Sequence, residues 1–172
     1  LMYYNGEGVP KDDVEALKWY RKSAEQGNAA AQCNLGAMYY EGKGAPKDYE
    51  EALKWYCKSA EQGAAAAQCN LGNMYSNGDG VRKNNAEALK LWRKAADQGF
   101  ANAQFNLGAM YYDGEGVWAD LVQAHAWLNI AAANGNKLAK KGLEIAENKM
   151  TSEQKAEAMK LARELFAKTV QQ

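Results

Sequence analysis

A chain of 172 residues with 21 basic and 21 acidic side chains carries no net charge, which leaves no electrostatic surplus for general nucleic-acid binding. Hydrophobic residues reach 47% but are scattered, and no run nears the roughly 18 apolar residues that span a bilayer, so membrane insertion is not expected. One histidine, three cysteines and two prolines leave little material for metal ligation, cofactors, catalysis or linkers.

The chain opens inside a pattern. Leu1-Met2-Tyr3-Tyr4 has no basic n-region and no cleavable apolar stretch, so no leader is legible there. These residues read as the second half of a helix. An uncovered apolar edge is therefore expected at Met2, Tyr3 and Tyr4, met either by upstream repeats, where any leader would also lie, or by self-association. None of the fourteen asparagines stands in Asn-X-Ser/Thr, which points away from a glycosylated lumenal protein and towards a bacterial one.

One offset organises the rest of the chain. Gly36, Gly72 and Gly108 are 36 residues apart, and the same step relates Tyr3, Tyr39, Tyr75 and Tyr111, then Ala16, Ala52, Ala88 and Ala124, then Gly27, Gly63, Gly99 and Gly135. Within one unit, apolar residues recur at helical spacing twice, first through Ala31, Leu35, Met38 and Tyr39, then through Ala52, Leu53, Trp55, Tyr56 and Ala60. Each unit is a helical hairpin. Gly42-Lys43-Gly44 predicts the end of the first helix, and Asp12, Asp48, Asn84 and Asp120 predict N-caps of the second. The recurring Gly-x-Gly reads as a turn and not a phosphate loop, since neither GxGxxG nor GxxxxGK[ST] occurs. Gly36, Gly72 and Gly108, inside the first helices, are each expected to face a small residue of a neighbouring helix.

The run Ala31-Gln32-Cys33-Asn34-Leu35-Gly36-Ala37-Met38-Tyr39-Tyr40-Glu41-Gly42-Lys43-Gly44, with Glu51-Ala52-Leu53-Lys54-Trp55-Tyr56 and Ala60-Glu61-Gln62-Gly63, resembles a Sel1-like repeat, a relative of the tetratricopeptide repeat. The resemblance covers Met2 to Gly135. It implies an all-α fold, a right-handed α-solenoid of antiparallel helix pairs. The expected organisation is one repeat domain over 1–172, with a partial repeat at 1–27, full repeats at 28–63, 64–99 and 100–135, and capping helices at 136–172. In that last segment Ala139 and Leu143 keep the register, while Glu144 and Ala146 replace the glycine and the methionine, so the close-packing signature reads as dropped. Thr151-Ser152-Glu153-Gln154 has capping-box form, and Ala156, Met159, Leu161, Ala162, Leu165 and Phe166 predict an amphipathic helix with a polar outer face.

The resemblance also implies an adaptor that binds a protein or peptide on its concave face, often in a bacterial periplasmic or secreted protein. The first helices would line that face. They place there Asn34 and Tyr40, Asn70 and Asn73, then Phe105, Asn106 and Tyr112. No Lys or Arg stands between Ala29 and Tyr40, Ala65 and Ser76, or Ala101 and Tyr112, which disfavours a clamp for peptide carboxylates. The amides of Asn34, Asn70 and Asn106 suit an extended backbone, although hydrogen bonding within the scaffold would explain them equally. Trp118 stands where other units have Pro10, Pro46 and Arg82, so it either packs on a neighbouring turn or meets a partner. Trp19, Trp55, Trp92 and Trp127 read as core.

Cys33 and Cys69 share a repeat position that is Phe105 in the next unit, and read as apolar contacts. Cys57 replaces Arg21 and Arg93 and reads as exposed. Reduced thiols are expected, with a Cys57–Cys69 disulfide as the alternative. Disulfide-rich members of the family place paired cysteines nearer the turn, at about Ala60 and Gln68 here, so the match fails. His125 aligns with Leu17, Leu53 and Leu89 and reads as a packed side chain. Some family members have been proposed to bind cell-wall fragments or β-lactams, so a hydrolase is the enzymatic alternative and a structural spacer the inert one. Asp79 and Asp113 lack the alternating ligands of a calcium loop. No catalytic residue, metal or cofactor is expected.

Overall fold

The computed structural model of the chain describes residues 12–170. Tyr3, Pro10 and the expected apolar edge at Met2, Tyr3 and Tyr4 lie outside the described residues. Nine helices, and no strands, occur among those described: α1 (Asp13–Glu25), α2 (Ala29–Glu41), α3 (Tyr49–Glu61), α4 (Ala65–Asn77), α5 (Asn85–Asp97), α6 (Ala101–Asp113), α7 (Leu121–Ala133), α8 (Ala139–Glu147) and α9 (Ser152–Val170). The chain divides into two compact units, the first through Lys83 and the second from Asn84. In the first, α2 packs against α1 and α3, and α4 against α3. In the second, α6 packs on α5 and α7, which also receives α8 and α9.

The helix boundaries follow from their caps. Asp48 Oδ1 accepts from the amides of Glu50 and Glu51 at 3.0 Å, and Asp12 and Asp120 do the same one repeat before and two after. Asn84 accepts from Glu87 alone. Each acceptor satisfies donors that a helix start otherwise leaves open. The capping box is reciprocal: Thr151 N–H donates to Gln154 Oε1 at 2.9 Å, and Gln154 N–H donates to Thr151 Oγ1 at 3.2 Å. The Gly-x-Gly turns have a second function besides termination. Gly80, at φ 66°, sits so close to Tyr49 that an added Cβ would lie 2.7 Å from Tyr49 Cβ. Gly44 and Gly116 make the same approach to Asp13 and Asn85, so each turn rests on the first residue of the preceding repeat's second helix.

Gly36 and Gly108, inside two of the first helices, face large residues, which corrects the expectation of small ones at these two positions. A Cβ at Gly36 would lie 2.8 Å from the Tyr56 ring, and one at Gly108 would lie 2.6 Å from Leu128 Cγ. The missing methyl is the slot into which a bulky side chain of the hairpin's other helix fits. At the end of the chain that signature is displaced and not dropped. A Cβ on Gly142, in α8, would lie 3.0 Å from Leu128 Cδ2, so Leu128 is held between glycines of two helices. Helix α9 buries Ala158 and Ala162, whereas Met159 and Phe166 stay exposed. The expected stripe is thus rotated, because alanines let a helix approach its neighbour more closely than methionine or phenylalanine do.

Trp55, Trp92 and Trp127 are buried, but Trp19 is 54% exposed, contrary to expectation. Its helix α1 packs, among the described helices, on α2, and the Lys22 ammonium lies 5.6 Å over the indole. Repeat register selects a side chain's direction; only a neighbour on that side buries it. Cys57 is half-buried and not exposed. Its equivalents Arg21 and Arg93 donate to the phenol oxygens of Tyr39 and Tyr111, so this position looks along the stack towards the following first helix.

Three residues that sequence reasoning passed over tie the repeats together. Gln32, Gln68 and Gln104, again 36 apart, are buried, and each Nε2 donates to a carbonyl near the end of the preceding repeat's second helix: Ala24 at 3.0 Å, Ala60 at 3.4 Å and Ala96 at 3.1 Å. Gln32 Oε1 accepts from Gln62 at 2.6 Å and Gln104 Oε1 from Asn134 at 2.9 Å. A buried amide is retained where both its ends are satisfied.

Candidate functional site

Helices α2, α3 and α4 enclose a cavity of about 170 Å³ lined by Ala37, Tyr40, Glu41, Tyr56, Asn70 and Asn73. Three of the residues singled out from sequence, Tyr40, Asn70 and Asn73, therefore come together in the first unit. Helical spacing explains the grouping. Ala37, Tyr40 and Glu41 lie three and four apart on α2, and Asn70 and Asn73 three apart on α4, so each set shares one face. The small Ala37 leaves room between them, and Tyr56 reaches in from α3 beneath Gly36.

The lining is fixed by hydrogen bonds. The Tyr40 hydroxyl donates to Asp79 Oδ2 at 2.7 Å, and Asn77 Nδ2 donates to the same oxygen at 3.1 Å. Burial, helped by the Asp79 carboxylate, pushes the Tyr40 phenol up to about 12, so it stays a protonated donor at neutral pH. The ring stacks at a tilt on Tyr49, with centroids 5.2 Å apart. Burial likewise pushes the Tyr56 phenol up. The Asn70 amide hydrogen-bonds both the Tyr56 hydroxyl and the Cys33 sulfur, so it serves the scaffold while lining the cavity. Glu41, at the rim, pairs with Lys43 on the turn.

The remaining sequence candidates are placed differently. Asn34 is exposed on α2 and lies outside the cavity lining. Phe105 is half-buried against Leu128, Ala131 and Ala139, and Tyr112 against Ala146, Met150 and Ala158, so in the second unit both pack against the terminal helices. The Lys149 ammonium lies 4.5 Å over the Tyr112 ring. Asn106 is half-buried on α6. Trp118 is 95% exposed and does not pack on a neighbouring turn, leaving its indole to solvent. A second concavity, of about 220 Å³ and mostly apolar, runs between α7 and α9 past Ile130, Met159, Arg163 and Phe166.

Chemistry elsewhere is sparse. His125 is buried, its Nε2 3.1 Å from Glu147 Oε1, and its Nδ1 has no hydrogen-bond partner among the described residues. Among those residues no group of three or more His, Cys, Asp and Glu is arranged to hold a metal ion. No described helix is long and apolar enough to cross a membrane. None of Cys33, Cys57 and Cys69 forms a disulfide. Burial pushes each thiol above its ordinary range, Cys69 to about 12. Because the thiolate is the nucleophile, thiol-disulfide reagents at about pH 8 should label the folded chain at least tenfold more slowly than the chain in guanidinium chloride. Equal rates would show that the thiols are not shielded.

The Sel1 repeat model matches residues 1–28, 29–63, 65–100 and 101–136, and the chain belongs to the Sel1 repeat family. Two of the solved structures similar to it illustrate the likeness. One is a protective antigen present in uropathogenic Escherichia coli strains and displaying an SLR fold, 42% identical, with a TM-score of 0.92 over 98% of this chain. The other is a Sel1 repeat protein from Oxalobacter formigenes, 36% identical, with a TM-score of 0.81 over 95% of this chain and 69% of that one. The chain spans 36% of the length of the antigen. No curated protein matches the sequence. The fold class is that of these relatives, an all-helical repeat solenoid, a scaffold that is typically non-enzymatic. Sel1 repeat proteins are generally protein-interaction scaffolds.

Proposed function

We propose that this chain is an interaction adaptor that takes a peptide or protein segment along the first-helix face of its repeats, with Tyr40, Asn70 and Asn73 as the contact residues of the first unit. The observation that carries the reading is the cavity between α2 and α4. It is a preformed depression in which aromatic rings stand beside amides that both donate and accept, the combination that grips a side chain while pairing with its backbone. Asn34 extends this surface, and Trp118, exposed on its turn, is an outlying contact of the kind that dominates interfaces. Phe105, Asn106 and Tyr112 contribute through their exposed edges, since Phe105 and Tyr112 also hold the terminal helices.

Affinity capture with the wild type beside an Asn70→Ala/Asn73→Ala variant tests the reading. A partner held by the wild type should be lost by about tenfold or more in the variant, provided its circular-dichroism melt shows it folded. Equal recovery by a folded variant would remove the first-helix face as the binding surface. A loss confined to Trp118→Ala would move the site to the turns.

A further inference from the structure

Helix α9 sorts its side chains onto two faces. Glu157 and Glu164 line a cleft beside Asp120 at the start of α7. Away from that cleft, Lys155, Met159, Arg163 and Phe166 follow one another at steps of three and four residues and so share one face. Three of them, Met159, Arg163 and Phe166, line the mostly apolar groove of about 220 Å³ between α9 and α7, with Ile130 and Ala162 beneath. Met159 is 40% exposed and Phe166 42%. Asn129 Nδ2 donates to Met159 Sδ at 3.4 Å, which draws the thioether from α9 towards α7. Two large apolar side chains left to solvent at either end of an apolar groove are the mark of a contact surface.

We propose that the groove between α7 and α9 takes an acidic amphipathic helix from a partner protein, as a second contact surface independent of the first-helix face. The length of the groove sets the form of its occupant. Met159 and Phe166 are seven residues apart, about 10 Å along the helix axis, which matches two turns of a third helix laid between two others. Such a helix presents apolar anchors at steps of three, four and seven residues, and methionine adapts its shape to whichever anchor arrives. Charge sets the flanks. Lys155 and Arg163 stand one turn before and one turn after Met159, while Glu157 and Glu164 face the other cleft, so acidic residues beside the anchors complement the rim. A surface two turns long falls well short of the roughly 800 Å² per partner that a stable dimer buries, which favours a short segment over a second copy of the chain.

Three libraries of alanine-based helical peptides, passed over the immobilised full chain, test the proposal. Each varies leucine, isoleucine, methionine and phenylalanine at anchors spaced i, i+3, i+4 and i+7, and carries glutamate, glutamine or lysine at every flanking position. The glutamate library should be retained roughly fivefold better than the glutamine library, and the lysine library least, with the preference fading at about 0.5 M salt. Lys155→Gln/Arg163→Gln should erase most of that preference, and Met159→Ser should lower retention of all three libraries at least about threefold. Arg163 and Met159 are exposed, and circular-dichroism melts check that each variant is folded. Asn70→Ala/Asn73→Ala should leave retention unchanged. Equal retention of the glutamate and glutamine libraries, or a preference that survives the loss of both cations, would overturn the proposal. A loss in a folded Asn70→Ala/Asn73→Ala variant would overturn it too, by moving the peptides to the first-helix face and leaving the adaptor reading standing. So would retention of no library, or a sedimenting dimer that Met159→Ser dissolves, which would give the groove to a second copy.

Discussion

Gln104→Ala should destabilise the chain by about 2–3 kcal/mol, because the residue combines a buried volume with two hydrogen bonds. Its side chain is fully buried, donating to Ala96 O and accepting from Asn134 Nδ2, so truncation opens a cavity and removes one link to the preceding repeat and one to the second helix of its own. The Ala96 carbonyl keeps the amide of Gly99 as a donor, which limits the penalty to less than that of a fully orphaned group. Gln104→Met separates the two contributions. It preserves most of the volume and deletes the hydrogen bonds, and should cost about 1–2 kcal/mol. Urea unfolding monitored by circular dichroism measures both. A methionine variant as stable as the wild type would show that the amide links contribute nothing.

Gly108→Ala should cost about 1–2 kcal/mol despite replacing a poor helix former by the best one. Alanine gains about 1 kcal/mol in helix propensity, but its methyl would lie 2.6 Å from Leu128 Cγ and 3.2 Å from the Ala124 carbonyl, and overpacking of a core typically costs about 1–3 kcal/mol or slightly more where backbone is involved. Leu128 cannot swing away freely, since Gly142 of α8 confines it on the other side. The double variant Gly108→Ala/Leu128→Ala makes the cause visible. Leu128→Ala alone should cost about 2–5 kcal/mol, and the pair should cost about 1 kcal/mol less than the sum of the singles, because the added methyl enters the space the leucine leaves. Additive losses would mean that the two positions do not compete for space.

Most of this architecture is legible in the sequence, since repeats multiply weak local signals. One aspartate before an apolar stretch is a poor marker of a helix start; Asp12, Asp48, Asn84 and Asp120 at one spacing are a strong one, and all four cap their helices. Tyr40, Asn70 and Asn73 were legible as a group because helical spacing puts them on one face. Burial was less so. Trp19 shares its register with the buried Trp55, yet what covers a side chain belongs to another element and leaves no mark on the residue itself. Gln32, Gln68 and Gln104 were hidden for a different reason. Glutamine is an ordinary surface residue, and only the geometry of the facing carbonyl reveals that its burial is satisfied. Their 36-residue recurrence was the signal available, and it marks them as firmly as the glycines.

The turn that rests on its predecessor has a consequence for how such a chain changes length. Because Gly80 lies over Tyr49 and Gly116 over Asn85, each of these turns is seated on a residue of the repeat before it. No hairpin is a closed module with boundaries of its own. Within the repeats, up to Gly135, an excision or duplication of 36 residues restores each turn's seat, since each residue is rejoined to a neighbour of equivalent position. A gain or loss of any other size sets a turn glycine over the wrong residue. The repeats can therefore be lengthened or shortened only in whole steps of their period, with the breakpoints free to fall in either helix or in a turn.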